Sequence, residues 1–401
     1  MIRGYIVYPI YYITFFVSIF YLITYFQTKH KYSSKITKKY PFVSVVIPAY
    51  NKEDSVENSI KSVLSLDYPK DKLEVIFVDD GSKDRTYEIA KKLESENVKV
   101  FTKENGGKGS ALNFGIRKVK GEFIVMLDSD TYMDADFLKK ALPYFDDPEV
   151  GLVVPTIQVY EQKNSLEKMQ AAEYVMSSFN RKVLTFIGSM VAAPACTIFK
   201  ADLFKKVGFY EEDNLTEDYE LSLRAQKHNY KLQHLLDSSV YTHVPKTIKG
   251  LYRQRLRWNY GTIASLKRHK ELFSLKYGDL GIFYLPLFIL SIGIGILIYS
   301  LFSYDWLTRI IRRVHLLSLV NFNFELANIS FWDFVPGLRV TFGIFTFLFA
   351  LLLFYLSKKY TRDRKVTFIS MLGYFSIFNF FMVVIWVIAI FYHIFRKKPT
   401  W

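Results

Sequence analysis

The sequence has little cysteine, and it lacks the residue spacings that are typical of zinc sites. Cys196 is the one cysteine in the chain, so an intrachain disulfide is excluded, and there is no C-x-x-C pair or histidine-rich stretch. Internal repeats and low-complexity segments are absent as well. The 401 residues that are present suffice for one large globular domain together with several membrane spans.

The composition is apolar, aromatic and basic. Half of the residues are hydrophobic, and the aromatic fraction of 17% is high for a soluble enzyme but common at membrane interfaces. The formal net charge is +15, and many of the cations flank hydrophobic runs. This distribution favours a membrane surface and a phosphate-bearing substrate over nucleic acid as the partner.

Four segments are apolar enough to predict membrane spans. Residues 5–26 carry no charge and reach roughly 33 Å as a helix. A cleaved signal peptide is the alternative, but the run is too long and no small-residue cleavage site follows it. Further spans are predicted at 281–302, at 338–356 and within 366–395. We therefore expect an N-terminal helix and basic linker (1–40), a globular domain (41–245), an interfacial amphipathic region (246–280) and a C-terminal membrane region (281–401).

The basic residues predict which side of the membrane each segment faces. Lysines follow the first span between positions 29 and 39, and the loop 357–365 is strongly basic, so both are expected to be cytoplasmic. Four single spans would place the basic tail 396–398 on the opposite side. This conflict indicates that one apolar segment is interfacial or re-entrant, and 304–320 is an amphipathic candidate.

Residues 41–245 alternate between apolar, β-branched runs and stretches with helical spacing. Strands are predicted within 43–51, 73–82, 98–104 and 123–130. This alternation is typical of an α/β fold with a mainly parallel sheet, in which ligands bind at the carboxyl ends of the strands. Tyr50, Asp79, Asp128 and Asp130 follow strands in this way.

Asp128 and Asp130 end an apolar strand and point to the same face. Two such carboxylates suit a divalent cation that bridges a diphosphate. A solvated turn is the alternative. Asp79 closes another strand, where it either accepts hydrogen bonds from a base or ribose or belongs to a helix-capping turn. The turn 105–109 contains Lys108 and precedes a helical pattern, which suits a phosphate, although Gly-Gly is also an ordinary turn.

Two helical patterns carry further candidates. The triplet Thr216-Glu217-Asp218 opens an amphipathic helix, and a capping role for Thr216 would explain it fully. In the basic stretch 247–268, Gln254, Arg257 and Trp258 share one face. This face either grips a diphosphate and stacks an acceptor sugar on the tryptophan, or lies on a membrane surface.

The ordered motifs Pro48-Ala49-Tyr50-Asn51, Val78-Asp79-Asp80-Gly81-Ser82, Gly107-Lys108-Gly109, Asp128-Ser129-Asp130, Thr216-Glu217-Asp218 and Gln254-Arg255-Leu256-Arg257-Trp258 resemble the processive family 2 glycosyltransferases. That family includes cellulose, chitin, hyaluronan and poly-N-acetylglucosamine synthases. The resemblance covers roughly residues 41–265, and the Q-x-x-R-W pentapeptide after a T-E-D triplet is its most specific part.

The resemblance implies a GT-A fold, inverting transfer from a nucleoside-diphosphate sugar, usually a UDP-sugar, and a Mg²⁺ or Mn²⁺ ion. It makes Asp218 the general base and Asp130 the metal ligand. Glu217, Gln254, Arg257 and Trp258 would line the acceptor and diphosphate site. The nucleotide sugar would be held by Pro48, Tyr50, Glu53, Asp79, Lys108 and Asp128.

We therefore expect a multi-pass enzyme of the cell membrane, with a cytoplasmic catalytic domain that adds sugar to a growing saccharide. The chain departs from large cellulose synthases in having fewer spans and no counterpart of their gating loop. One alternative is a single transfer to a lipid acceptor, either a glycolipid or a polyprenyl phosphate, whose charge Arg253 and Arg255 would meet. The other is a transporter or receptor with a nucleotide-binding module, against which Asp128, Asp130 and Asp218 argue together.

Overall fold

In the computed structural model, which describes residues 2–32, 34–319, 338–363 and 365–399, one mixed sheet of eight strands forms the centre of the globular part. The strands lie in the order β3-β2-β1-β4-β7-β6-β8-β5. Their bounds are β1 Val43–Ala49, β2 Leu73–Asp79, β3 Val98–Thr102, β4 Phe123–Met126, β5 Thr131–Met133, β6 Val150–Val159, β7 Thr197–Lys200 and β8 Lys231–Thr242.

The half of the sheet formed by β3, β2, β1 and β4 is entirely parallel. In register, Val46 of β1 lies opposite Ile76 of β2 on one side and Met126 of β4 on the other. The carboxyl ends of these strands therefore meet at one edge. The short strands β7 and β5 pair antiparallel with their neighbours, while β6 and β8 are parallel. The predicted α/β class is confirmed, with a sheet that is mixed in its second half.

Thirteen helices are described alongside the sheet. They are α1 Ile2–Thr28, α2 Val56–Leu64, α3 Thr86–Lys91, α4 Lys108–Ile116, α5 Phe137–Ala141, α6 Ser165–Phe186, α7 Leu203–Val207, α8 Glu217–Lys227, α9 Ile248–Arg268, α10 Leu285–Leu319, α11 Leu338–Thr361, α12 Phe368–Gly373 and α13 Asn379–Ile394. π-helical turns at Leu280–Tyr284 and Tyr374–Phe378 lead into α10 and α13.

Both faces of the central strands are buried. Every residue of β1, β2 and β6 is inaccessible to solvent. Alternate residues enter different cores: Ile47 and Phe77 pack on one face with α2, whereas Val46 and Ile76 pack on the other with α4. This double burial explains why these strands are apolar throughout their length instead of alternating with polar residues.

Four described helices are long and apolar enough to cross a membrane, at Tyr8–Lys31, Leu280–Arg312, Gly343–Thr361 and Phe368–Ile394. They match the four predicted segments. The candidate interfacial segment 304–320 does not form a helix of its own, because α10 continues without a break to Leu319. Position 320 lies outside the described residues.

Both ends of the last apolar helix contact the globular part or α9. Near its start, Met371 packs with Val159 of β6 and Ala171 of α6. Near its end, the His393 ring stacks on Tyr260 of α9 with ring centroids 3.9 Å apart, and its Nε2 lies 2.9 Å from the Tyr260 carbonyl oxygen. The helix thus contacts the globular part near its start and α9 near its end.

Candidate active site

A cavity of about 620 Å³ opens at the carboxyl ends of β1 and β4. Its walls come from the loops after these strands, from the first turn of α4, from the loop before α8 and from α9. Seven of the residues predicted from sequence line it, namely Pro48, Tyr50, Lys108, Asp128, Asp130, Glu217 and Arg257. The fold therefore brings together side chains that are more than 200 positions apart in the chain.

Lys108 connects two of the predicted motifs. Its Nζ lies 2.6 Å from Asp128 Oδ1 after β4 and 3.6 Å from Glu217 Oε1 at the start of α8. Burial alone would lower the pKa of Lys108, but Asp128, Glu217 and Asp218 together hold it well above its usual range. The lysine therefore stays charged, and its ion pairs hold Asp128 and Glu217 close together.

The Asp80 carboxylate holds the glycine-rich turn before α4 in place by accepting hydrogen bonds from it. The backbone N–H groups of Gly106 and Gly107 donate to the Asp80 carboxylate at 3.1 and 2.7 Å, and Lys103 Nζ lies 2.8 Å from it. Gly107 has a φ of +86°, a conformation that favours glycine. Asp80 itself also lines the cavity.

Glu53 and Asp79 lie behind the cavity wall and not on it. The Asp79 carboxylate accepts hydrogen bonds from the Thr102 hydroxyl at 2.9 Å and from the Ser82 N–H. Glu53 accepts from the backbone N–H of Arg85 at 3.2 Å. Both carboxylates thus stabilise the loop after β2 by accepting hydrogen bonds from its backbone.

Asp130 is paired with a lysine that the sequence analysis did not single out. Lys52 Nζ lies 2.7 Å from Asp130 Oδ2. This pairing could have been inferred, because β1 and β4 are parallel neighbours and the loops that follow them, which carry Lys52 and Asp130, lie side by side. Glu212 and Asn214, which also line the cavity, were missed because the loop before α8 has no motif that places it there.

The Asp128–Asp130 pair offers two carboxylates to a divalent cation. No cluster of three or more His, Cys, Asp or Glu residues suited to a metal occurs in the described parts of the chain. Mg²⁺ is commonly bound through one or two carboxylates, with substrate phosphates and water completing the shell. The two aspartates fit that mode of binding, and a protein-only metal cage is not required.

Asp218 lies in the first turn of α8, next to Glu217. Burial, followed by the negative charge of Glu217, raises the pKa of Asp218 to about 6, while Lys108 opposes the shift. Thr216 occupies the N-cap position, but its side chain makes no capping hydrogen bond. Its Oγ1 is buried without a partner among the described residues. The capping interpretation of the triplet therefore has no support from the threonine side chain.

The three predicted residues of α9 have different surroundings. Arg257 reaches the cavity, whereas Gln254 and Trp258 do not line it within the described structure. Trp258 is covered by the guanidinium group of Arg255, whose central carbon lies 4.1 Å from the ring centroid. Arg255 itself is buried and pairs with Glu173 of α6 at 2.6 Å.

Gly261 allows α9 to approach the start of α8 closely. A Cβ added at this glycine would lie 2.9 Å from the Cβ of Thr216, and closer still to its Oγ1 and Cγ2. A contact this short leaves no room for a side chain. The glycine thus sets the distance between the helix that carries Arg257 and the triplet that carries Asp218.

The fold is a mixed α/β sheet of the GT-A-like type, which is found in glycosyltransferases. A mannosyltransferase from Pyrobaculum calidifontis, solved with GDP-Man and Mn²⁺, has a similar fold, with a TM-score of 0.55 over 97% of this chain and 99% of that one. The two sequences are 18% identical, so the likeness shows the fold alone.

The sequence matches a known family over part of its length. The model described as Glycosyl transferase family 2 matches residues 44–208. The poly-β-1,6-N-acetyl-D-glucosamine synthase of Staphylococcus aureus (strain MSSA476) is 30% identical over 224 residues, which are 55% of this chain and 54% of that protein. The synthase of Staphylococcus epidermidis is 31% identical over the same shares. The chain spans about half the length of these relatives.

Proposed function

We propose that this protein is a membrane-bound inverting glycosyltransferase that moves a sugar from a nucleoside-diphosphate sugar to a growing saccharide. The observation that carries the proposal is the ion-paired group around Lys108, which joins Asp128 to Glu217 and stands beside Asp218. This group brings together the aspartates that follow β4, the glycine-rich turn before α4, which suits a phosphate, and Asp218, whose pKa is raised. The names of the relatives, which are polysaccharide synthases, support a saccharide product.

The donor half of the site holds positive charge for a diphosphate. Lys52 and Lys108 face the cavity together with Arg257, and cations paired with phosphate oxygens form strong, charge-assisted hydrogen bonds. We assign Asp128 and Asp130 to a Mg²⁺ or Mn²⁺ ion, which when bound stabilises the charge on the leaving diphosphate. Tyr50 and Pro48 form the wall on which the nucleotide would lie.

In the acceptor half, Asp218 has the properties of a general base. The attacking hydroxyl gives its proton to the Asp218 carboxylate while its oxygen bonds to the anomeric carbon and the bond to the diphosphate breaks. Inversion needs one base on the face opposite the leaving group. Asp218 lies in the first turn of α8 and is not among the residues that line the cavity, but its neighbour Glu217 is one of them.

The donor assignment is tested with the purified full-length chain and a panel of radiolabelled UDP- and GDP-sugars, beginning with UDP-N-acetylglucosamine. We expect transfer from one donor, stimulated by Mg²⁺ or Mn²⁺ and abolished by a chelator. Asp130→Ala should remove the metal stimulation of donor binding, whereas Asp71→Asn, at an exposed site far from the cavity, should not. Unchanged metal dependence in Asp130→Ala would show that the metal assignment is wrong.

The surroundings of Arg255 favour a saccharide acceptor over a polyprenyl phosphate. The lipid alternative needs Arg253 and Arg255 for the acceptor phosphate, but Arg255 is buried against Glu173 and Trp258. Only the exposed Arg253 of that pair is left to meet such a group. The aromatic ring of Trp258 is instead a surface suited to a sugar, although one face of it is covered by Arg255.

Product analysis separates the two acceptors. Detergent-solubilised enzyme is given donor alone and then donor with polyprenyl phosphate. A ladder of water-soluble saccharides supports the proposal, and a single organic-phase product that forms only with added lipid supports the alternative. Trp258→Ala should lose transfer and keep nucleotide binding, while Trp258→Phe, which restores a ring beside Arg255, should regain part of the activity.

We also propose that the catalytic domain faces the cytoplasm of a cell whose membrane holds the helices. The basic linker after α1 and the basic loop after α11 both lie beside the domain. The Ser34 hydroxyl of the linker donates to Asp237 of β8 at 2.6 Å, and Gln158 of β6 donates to the Thr361 carbonyl at the end of α11 at 2.8 Å. Both segments carry the positive charge that is typical of cytoplasmic loops.

A further inference from the structure

A second cavity, separate from the candidate active site, lies between α9 and two of the apolar helices. It encloses about 490 Å³ between the C-terminal half of α9, the first half of α10 and α13. Its lining is almost wholly apolar and consists of Thr262, Ile263, Leu266, Lys267, Lys270, Phe273, Phe288, Ile289, Ile292, Gly293, Ile296, Trp386 and Ile390. None of these residues lines the cavity at the strand ends. We call this second cavity the α9 groove.

The floor of the α9 groove is formed by helices with the composition of membrane spans. Phe288 of α10 and Trp386 of α13 meet edge to face with ring centroids 6.1 Å apart. Beside them a Cβ added at Gly293 would meet no atom within 4 Å, so the groove is open at this point. A surface of this kind in such helices faces lipid chains, which fill it without any loss of hydrogen bonds.

Two lysines form the polar edge of the α9 groove. Lys267 lies in the last turn of α9 and Lys270 follows the helix, and both are exposed. Neither makes an ion pair with a carboxylate in the part of the chain that the structure describes. The basic residues between them have partners, because Arg268 pairs with Glu211 and His269 with Glu220. The charges of the two lysines are thus available to a group from outside the chain.

We infer that the α9 groove binds an anionic phospholipid, with an acyl chain along Ile289 and Gly293 and the headgroup phosphate at Lys267 and Lys270. Basic pockets between membrane helices are a recognised way of holding anionic headgroups. Lysine suits this edge because its apolar stem packs along the groove while the ammonium stays at the headgroup level. This site lies outside the proposed transfer reaction and does not depend on it.

A lipid in the α9 groove would support the helix that carries Arg257. Leu266, which lines the groove, packs in one apolar cluster with Leu223 of α8 and Leu285 of α10. The same α8 begins with the triplet that contains Asp218. Filling the groove therefore stabilises α9 in the position from which Arg257 reaches the cavity.

Native mass spectrometry of the full chain measures binding directly. The protein is released from detergent after titration with phosphatidylglycerol or with phosphatidylcholine of the same acyl chains. We expect one phosphatidylglycerol to be retained in preference to phosphatidylcholine. Lys267→Gln with Lys270→Gln should weaken it about thirtyfold, or about fivefold per lysine. The matched pair Lys92→Gln with Lys205→Gln, exposed on the globular part, should leave binding unchanged.

Filling the groove gives a second, independent variant. Gly293→Leu places a side chain in the open space and should expel the lipid. Gly343→Leu is the control, since a Cβ there also meets nothing within 4 Å but lies on α11, away from the groove. Equal retention of phosphatidylcholine, or full retention by both groove variants, would overturn the inference. So would displacement of the lipid by polyprenyl phosphate that is then converted to a glycosylated product, because the groove would then hold an acceptor.

Discussion

At the scale of single residues, the candidate site is a small electrostatic assembly around one lysine. Asp128, Glu217 and Asp218 each contribute negative charge near Lys108. Burial and then the negative charge of Glu217 raise the pKa of Asp218, while Lys108 opposes the rise. A carboxylate with a pKa near the operating pH is a better proton acceptor than an ordinary one. The raised pKa of Asp218 thus follows from its burial and from the carboxylate beside it.

Replacing Asp218 by Asn should remove the base and preserve the shape of the site. We expect the rate of transfer to fall roughly 10²–10⁴-fold, with nucleotide binding retained, as measured by single-turnover kinetics and by titration calorimetry. Thr216→Ala is the matched test of the capping alternative, and it should keep most of the rate because Thr216 makes no capping hydrogen bond. If Asp218→Asn turned over normally, the base would have to be another residue.

The raised pKa of Asp218 predicts the acid limb of the pH profile. The base acts as a carboxylate, so its active fraction falls about tenfold for each pH unit below its pKa of about 6. The rate under single-turnover conditions should therefore decline as the pH is lowered through about 6. Glu217→Gln removes a charge that raises this pKa, and the limb should move to lower pH. If the acid limb of the pH profile does not move in Glu217→Gln, a group other than Asp218 causes it.

Sequence could predict the chemical groups of the site but not all of their orientations. Asp128, Asp130 and Lys108 follow from the rule that parallel strands present their carboxyl ends together. In the pair Asp79-Asp80 both residues end the same strand, and the choice of Asp79 rested on the resemblance. The structure places Asp80 on the cavity, because it turns toward the N–H groups of Gly106 and Gly107. Such a turn depends on contacts with a distant loop, and no local pattern encodes it.

At the scale of elements, the site depends on how closely α9 lies against α8. Gly261 is the point of closest approach, with Thr216 as its neighbour. Gly261→Ala should push the two helices apart, because the new methyl group has no room beside Thr216. Overpacking of this kind typically destabilises a protein by about 1–3 kcal/mol. We expect a large loss of transfer with a smaller loss of thermal stability, measured by the rate of turnover and by the unfolding temperature in detergent.

A compensating change distinguishes this effect from a general loss of folding. Thr216→Ala removes the two atoms that the new Cβ would meet most closely. The double variant, Gly261→Ala with Thr216→Ala, should recover part of the activity that Gly261→Ala loses. Strict additivity of the two single effects would mean that the helices are not coupled through this contact.

The elements themselves were predictable where burial is symmetrical. β1, β2 and β4 are buried on both faces, and such strands are apolar without interruption. The strands β6 and β8 were not predicted although they have ten and twelve residues. The antiparallel strands β5 and β7 were not predicted because they have only three and four residues. A run of that length carries no periodicity, and its place in the sheet is fixed by the strands on either side.

At the scale of the whole molecule, the contacts of the last apolar helix, Phe368–Ile394, bear on which side of the membrane the basic tail occupies. Hydropathy measures apolar composition, and a helix that packs along α6 and α9 meets that criterion as well as a span does. Along its length Met371 packs with Ala171 of α6, and Ile385 packs with Leu256 of α9. The sequence predicted that one segment departs from a simple span and proposed 304–320. The contacts of Met371 with α6 and of His393 with α9 favour the helix Phe368–Ile394 instead.

If both ends of this helix lie on the side of the catalytic domain, then so does the basic tail that follows it. We expect a cysteine at Lys397 to have the same accessibility as one at Lys35 in the linker after α1. A cysteine at Thr308, in the distal half of α10, should react only from the opposite side. The measurement is labelling by a membrane-impermeant maleimide in sealed inside-out and right-side-out vesicles, with little background because Cys196 is buried.

The reason for expecting this result is energetic as well as geometric. His393 stacks on Tyr260 of α9 at the end of the helix, and three basic residues follow at 396–398. Moving them across the bilayer would break this contact and would also place positive charge where loops are seldom basic. Labelling of Lys397→Cys from the same side as Thr308→Cys would mean that Phe368–Ile394 crosses the membrane, and that its contacts with α9 form within the bilayer.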